Sequence, residues 1–133
     1  MANPEQREGG GPSRDVVEVA DTVRTQLEQI SSPEDASRFV HEIISQLQGK
    51  YGPHRSSWRS GSERSQGIFS LIKEIPEIGK IQFSLTQPLG TDYCVLNMSF
   101  LSGESAPGAR KKFISTLLPT DQEYFGISPG DFD

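Results

Sequence analysis

The sequence predicts an α+β domain in which an antiparallel helix hairpin packs on an antiparallel sheet of three or four strands. Three observations carry this. The segments Ile81–Leu85 and Tyr93–Leu101 alternate apolar and polar residues, and Pro88, Gly90 and Asp92 between them mark a turn. Val16, Val19, Ala20, Val23, Leu27 and Ile30 fall at three- and four-residue steps, the spacing of one helix face. A second such stripe, Ala36, Phe39, Val40, Ile43, Ile44 and Leu47, follows after so short a break that the two helices must turn back on each other.

Each element has its own local signals. Residues 1–12 hold Gly9-Gly10-Gly11-Pro12 among polar neighbours and bury too little to offset ordering entropy, so a disordered tail is expected there. Ser13 is placed to cap a first helix over about 14–30, with Asp15 near the positive end of its dipole. Ser32 as cap, Pro33 in the first helical position and Glu34 and Asp35 in the first turn start the second helix, which Gly49 or Gly52 ahead of Pro53 ends. The stretch 53–66 is polar apart from Trp58 and reads as an exposed loop or weak edge strand. Residues 68–73 are strand-like by composition, although their alternation is poor, and Pro76 and Gly79 mark the turn before the hairpin.

In the hairpin, Ile81, Phe83 and Leu85 share one face with Cys94, Leu96, Met98 and Phe100 of the longer strand. Lys80, Gln82 and Ser84 share the other, mixed face with Tyr93, Val95 and Leu101. Residues 109–118 suit a helix or a short strand. The domain is therefore expected over 13–118, with 119–133 as an acidic flexible or docking tail.

The chain has 133 residues, enough for one domain, and an apolar share of 33% that places the core within about 90 to 110 of them. No apolar run approaches a membrane span and the start lacks a signal peptide's pattern, so the expectation is a soluble cytoplasmic protein without a membrane role. A net charge of -5 argues against a general coat for nucleic acid. Locally, Lys50, Arg55, Arg59 and Arg64 face only Glu63.

No catalytic residues emerge. His41, His54 and the single cysteine, Cys94, have no metal-ligand spacing, and Cys94 falls on the core face as a small inert thiol, so neither metal nor cofactor is expected. Gly9-Gly10-Gly11 precedes no strand and lacks the lysine of a phosphate loop. The one cluster with chemical character is Arg55, Trp58, Arg59 and Arg64. Guanidinium groups beside an indole hold phosphate and stack on bases, which makes this loop a nucleic-acid or phosphate candidate, and a solvated loop with Trp58 folded back is the plainer alternative. The serines beside Arg55 and Arg59 are also potential kinase targets.

The run Phe39-Val40-His41-Glu42-Ile43-Ile44 leading to Lys50-Tyr51-Gly52-Pro53, with Trp58 and Gly61 soon after, resembles the small dynein light chains. That family has an acid-rich start to this helix, a Lys-Tyr-Asn-Pro exit and a tryptophan in its first strand. The resemblance covers residues 14–66, whereas the later strands and the extension past Ser102 depart from it. It implies a homodimer that binds short linear motifs by strand addition, without enzyme activity.

From the residues themselves, the expectation is a non-enzymatic adaptor that dimerises or binds a partner peptide through a sheet edge or face. The strand Lys80–Leu85 and the weaker one at 68–73 are the candidate edges. Tyr93, Val95, Leu101, Gln82 and Ser84 are the candidate partner-binding residues. The alternatives are a small nucleic-acid-binding or viral regulatory protein using the arginine loop, and a secretion-type chaperone, which the chain resembles in size, acidity and mixed content.

Overall fold

The computed structural model describes residues 14–56, 65–101 and 108–131. The architecture is α+β: helices α1 (Arg14–Glu28) and α2 (Pro33–Tyr51), strands β1 (Ser65–Ile75), β2 (Gly79–Pro88) and β3 (Val95–Phe100), then helices α3 (Ala109–Thr116) and α4 (Pro119–Phe125) and a closing 3-10 turn over Pro129–Asp131. The strands form one antiparallel sheet in the order β1-β2-β3.

Helix α2 begins as its sequence dictates. Ser32 Oγ accepts the Asp35 amide at 3.1 Å with Pro33 in the first turn, and Gly52, at φ 100°, closes the far end by donating its amide to the Gln48 carbonyl. The apolar stripes of α1 and α2 are buried, from Val16 to Leu27 and from Ala36 to Leu47. Their polar ends meet where Asp15, in the first turn of α1, takes a hydrogen bond from Tyr51 at 2.8 Å and an ion pair from Lys50 at 2.9 Å. Helix α1 contacts β1 and α2 contacts β3, with the Phe39 and Phe83 rings edge to face at 5.4 Å.

The β2–β3 register places Ile81 opposite Phe100, Phe83 opposite Met98 and Leu85 opposite Leu96, so one sheet face is the core. Phe83, Leu85, Ile81 and Leu96 are each 0% exposed. Strand β2 lies between β1 and β3, so the expectation of Lys80–Leu85 as an edge is corrected. The edges are β1 and β3.

Two further expectations change. Strand β1 runs over 65–75, longer than its poor alternation suggests, because a bulge between Gly67 and Phe69 shifts the phase and tucks Ile68 against the core. Residues 119–131 are no tail in this structure. Tyr124, Phe125 and Ile127 join the core at 3%, 1% and 7% exposure, because a short helix turns its aromatic face inward; Glu123 and Asp131 stay exposed, while Asp121 is buried against α2. The tail expected over 1–12 lies outside the described residues.

Candidate interaction site at the sheet edges

The two edges of the sheet differ, and backbone polarity decides how. The Leu101 amide donates to the Lys80 carbonyl at 3.1 Å, which fixes the even-numbered residues of β2 as those bonded to β3. The odd-numbered residues of β2 then bond to β1, through the pairs Ile81–Lys73, Phe83–Leu71 and Leu85–Phe69. By alternation, the N–H and C=O groups of Ser70, Ile72 and Glu74 on β1 point away from the sheet, as do those of Leu96, Met98 and Phe100 on β3.

At Leu96 the outward pair is closed, and the next outward residue, Met98, is 4% exposed. The Tyr124 hydroxyl accepts the Leu96 amide at 2.8 Å and donates to the Leu96 carbonyl at 3.0 Å. Burial, and to a small extent Cys94 nearby, pushes the Tyr124 hydroxyl above its ordinary pKa, although the Leu96 contact opposes this. Helix α4 itself is tied to α2 by His41 Nδ1 and the Asp121 carboxylate at 3.1 Å. The chain after α2 wraps the same edge, since the Ser56 amide donates to the Tyr124 carbonyl at 3.2 Å and its hydroxyl to Asn97 Oδ1 at 2.6 Å.

At β1 the outward groups of Ser70, Ile72 and Glu74 have no hydrogen-bond partner among the described residues. Their side chains are exposed too, whereas Leu71 and Lys73 between them are half-buried. This strand reverses the usual pattern at its centre: Ile72 is 51% exposed, and Lys73 lies on the core side, where it reaches past the apolar layer to donate to the Glu28 carbonyl at 3.2 Å. A lysine at the C-terminal end of a helix is favourably placed against the dipole. Arg24 of α1 lies 4.9 Å from the Phe69 ring, so α1 supports β1 from the core side and leaves its other side to solvent.

The expected partner-binding residues do not gather into one surface. Gln82 and Ser84 sit half-buried on the solvent side of the central strand. Val95 shares that face in register but is 2% exposed, so it is core rather than contact surface. Tyr93 lies under the His54 ring, stacked at 3.5 Å and 2°. Leu101 is held at the end of β3, its carbonyl taken by Arg110 at 2.6 Å. Ile72, which the sequence reading passed over, stands out only once the bulge fixes the strand's phase.

No family model, curated protein or solved structure matches this chain. The likeness to dynein light chains therefore rests on the residues quoted for it.

The other chemistry is sparse. Arg55 is paired with Glu123 at 3.4 Å with both side chains exposed, while Trp58, Arg59 and Arg64 lie outside the described residues. Cys94 is 1% exposed, and burial pushes its thiol up to about 11, the state of an unreactive core cysteine. Among the described residues no cluster of His, Cys, Asp and Glu is arranged to hold a metal ion, and no helix is long and apolar enough to cross a membrane. A cleft of about 480 Å³ opens between the start of α2, the β1–β2 turn and α3. It sets Arg38 and Lys112 beside Glu34 and Glu77 and so presents no charge of one sign.

Proposed function

We propose that this protein is a non-enzymatic interaction module that takes up an extended protein segment on the outer edge of β1. The observation that carries the reading is Ile72, half exposed at the middle of an edge strand, with its amide and carbonyl directed outward and no described partner. An incoming strand satisfies those groups through main-chain hydrogen bonds and covers the isoleucine, which is how strand addition combines affinity with side-chain selection. The asymmetry of the sheet supports it: Tyr124 closes the β3 edge at Leu96, while the outward groups of β1 over Ser70–Glu74 have no partner among the described residues. Edge strands left open by accident invite aggregation, and β1 carries two usual defences, a bulge at one end and an inward-facing lysine near the other. Those devices narrow the usable edge to a short window.

The test is a selection of ten-residue peptides by display on the full chain, with the Ile72→Pro protein as counter-selection. Proline at 72 removes an outward donor and leaves the β1–β2 ladder intact. Alternating apolar and polar binders lost on Ile72→Pro are expected. Binders indifferent to that change, or no binders at all, contradict the reading.

A further inference from the structure

The β1 window reads the same from both directions. We infer that the segment it takes up is β1 of a second copy, paired antiparallel about a two-fold axis at Ile72, so that two sheets join into one. This rests on the edge reading above and names its partner.

Past the bulge, over 69–75, only the even-numbered residues of β1 carry outward backbone groups, so a second β1 must pair even residue with even residue there. Three registers are then short enough to use the window. Centring the axis on Ile72 sets Ile72 against Ile72 of the second copy and Ser70 against its Glu74, a hydroxyl facing a carboxylate. On the core side the same register sets Lys73 against Leu71, with no like charges opposed. Moving the axis to Lys73 brings two lysines face to face and runs Ser70 into Pro76, which has no amide to give. Moving it to Leu71 leaves both isoleucines against serines and carries the pairing into the bulge at Gly67–Phe69. Only the Ile72 register sets the two exposed isoleucines against each other and keeps every paired residue within 70–74, short of the bulge and of Pro76.

The closed β3 edge gives this pairing an end point. A sheet with two open edges extends without limit, but here Tyr124 occupies the outward backbone of Leu96, and Leu96 and Met98 are 0% and 4% exposed, so β1 is the edge each copy offers and an isologous contact closes at two copies. The product is a dimer and not a fibre. Its contact is a short strand pair, so it forms and dissociates with concentration.

The experiment is sedimentation velocity of the full chain over a wide concentration range, with single-cysteine cross-linking by a short bismaleimide to read the register. Cys94 is buried and stays silent. Ile72→Cys chains are expected to cross-link to each other, because paired residues lie about 5.5 Å apart between Cα atoms. Ser70→Cys mixed with Glu74→Cys is expected to cross-link at least tenfold more than either alone, since like positions are then separated by about 13 Å along the strand. Ile72→Pro and Ile72→Lys should both shift the chain to monomer, and agreement between them guards against a folding defect in one. A chain that is monomeric throughout overturns the inference, as does a dimer indifferent to both substitutions or one with another cross-linking pattern. If a monomeric chain still binds display-selected peptides that Ile72→Pro abolishes, self-pairing falls and the edge reading stands. If neither occurs, both fall.

Discussion

The Tyr124 hydroxyl stands in for a neighbouring strand at Leu96, accepting its amide at 2.8 Å and donating to its carbonyl at 3.0 Å. Helix α4 thereby closes one edge of the sheet with a side chain where another fold would add a strand. Tyr124→Phe keeps the ring in the core and leaves both backbone groups of Leu96 without their partner. The expected loss is about 1–3 kcal/mol in urea unfolding, the cost of orphaning buried polar groups. An unchanged midpoint would show that water replaces the hydroxyl at no cost.

Asp121 is 3% exposed and faces His41 of α2 at 3.1 Å, with the imidazole still half in solvent. Removing the histidine leaves a carboxylate buried without that partner. His41→Ala is expected to destabilise by about 1–3 kcal/mol, and Asp121→Asn in the same background to recover part of the loss, because a neutral amide tolerates burial better. A double-mutant cycle with no coupling between the positions would contradict the pairing.

The buried thiol gives the chain an alkaline limit. Burial raises Cys94 from an ordinary value of 9.0 to about 11, so the folded chain keeps a proton that the unfolded chain gives up between those values. The unfolded state then binds fewer protons, and stability falls as pH rises. The contribution is complete below about pH 9 and lost by about pH 11, on the order of 2 kcal/mol. Measuring urea midpoints at pH 8 and pH 10.5 for wild type and Cys94→Ala checks this: the wild type should lose more stability than the variant. Tyr51 and Tyr124, also raised chiefly by burial, add a similar loss at higher pH in both proteins.

At the open edge the expected effect on folding is small. Ile72→Lys removes a half-exposed side chain from the solvent side of β1 and should change stability by less than about 0.5 kcal/mol. A loss well above that would mean that Ile72 serves the fold of the single chain and not an encounter with a partner strand.

Much of this architecture is legible in the residues. The helix stripes, the Ser32-Pro33 start and the core face of the β2–β3 hairpin follow from period and capping chemistry, because each is a local pattern repeated several times. The C-terminal segment was hidden by composition: its acids, glycine and proline suggested a tail, although Tyr124, Phe125 and Ile127 already carried enough apolar surface to dock a short helix. The site was hidden by phase. A single extra residue at the Gly67–Phe69 bulge makes Ile72 face solvent and Lys73 face the core, and no alternation rule recovers that reversal. Edge identity was only half legible, since strand order is set by long-range pairing: of the two candidate edges, 68–73 is one and Lys80–Leu85 proved central.

Backbone amide hydrogen exchange along β1, followed residue by residue, tests the open edge most directly. In the dilute chain the amides of Ile72 and Glu74 should exchange quickly, while those of Leu71 and Lys73, bonded to β2, should be protected. Raising the chain concentration, or adding a peptide selected for the edge, should protect Ile72 and Glu74 and leave Leu71 and Lys73 as they were. Amides at 72 and 74 that are protected even at high dilution, or that gain no protection under either condition, would contradict an edge that is open in one copy and filled by an incoming strand.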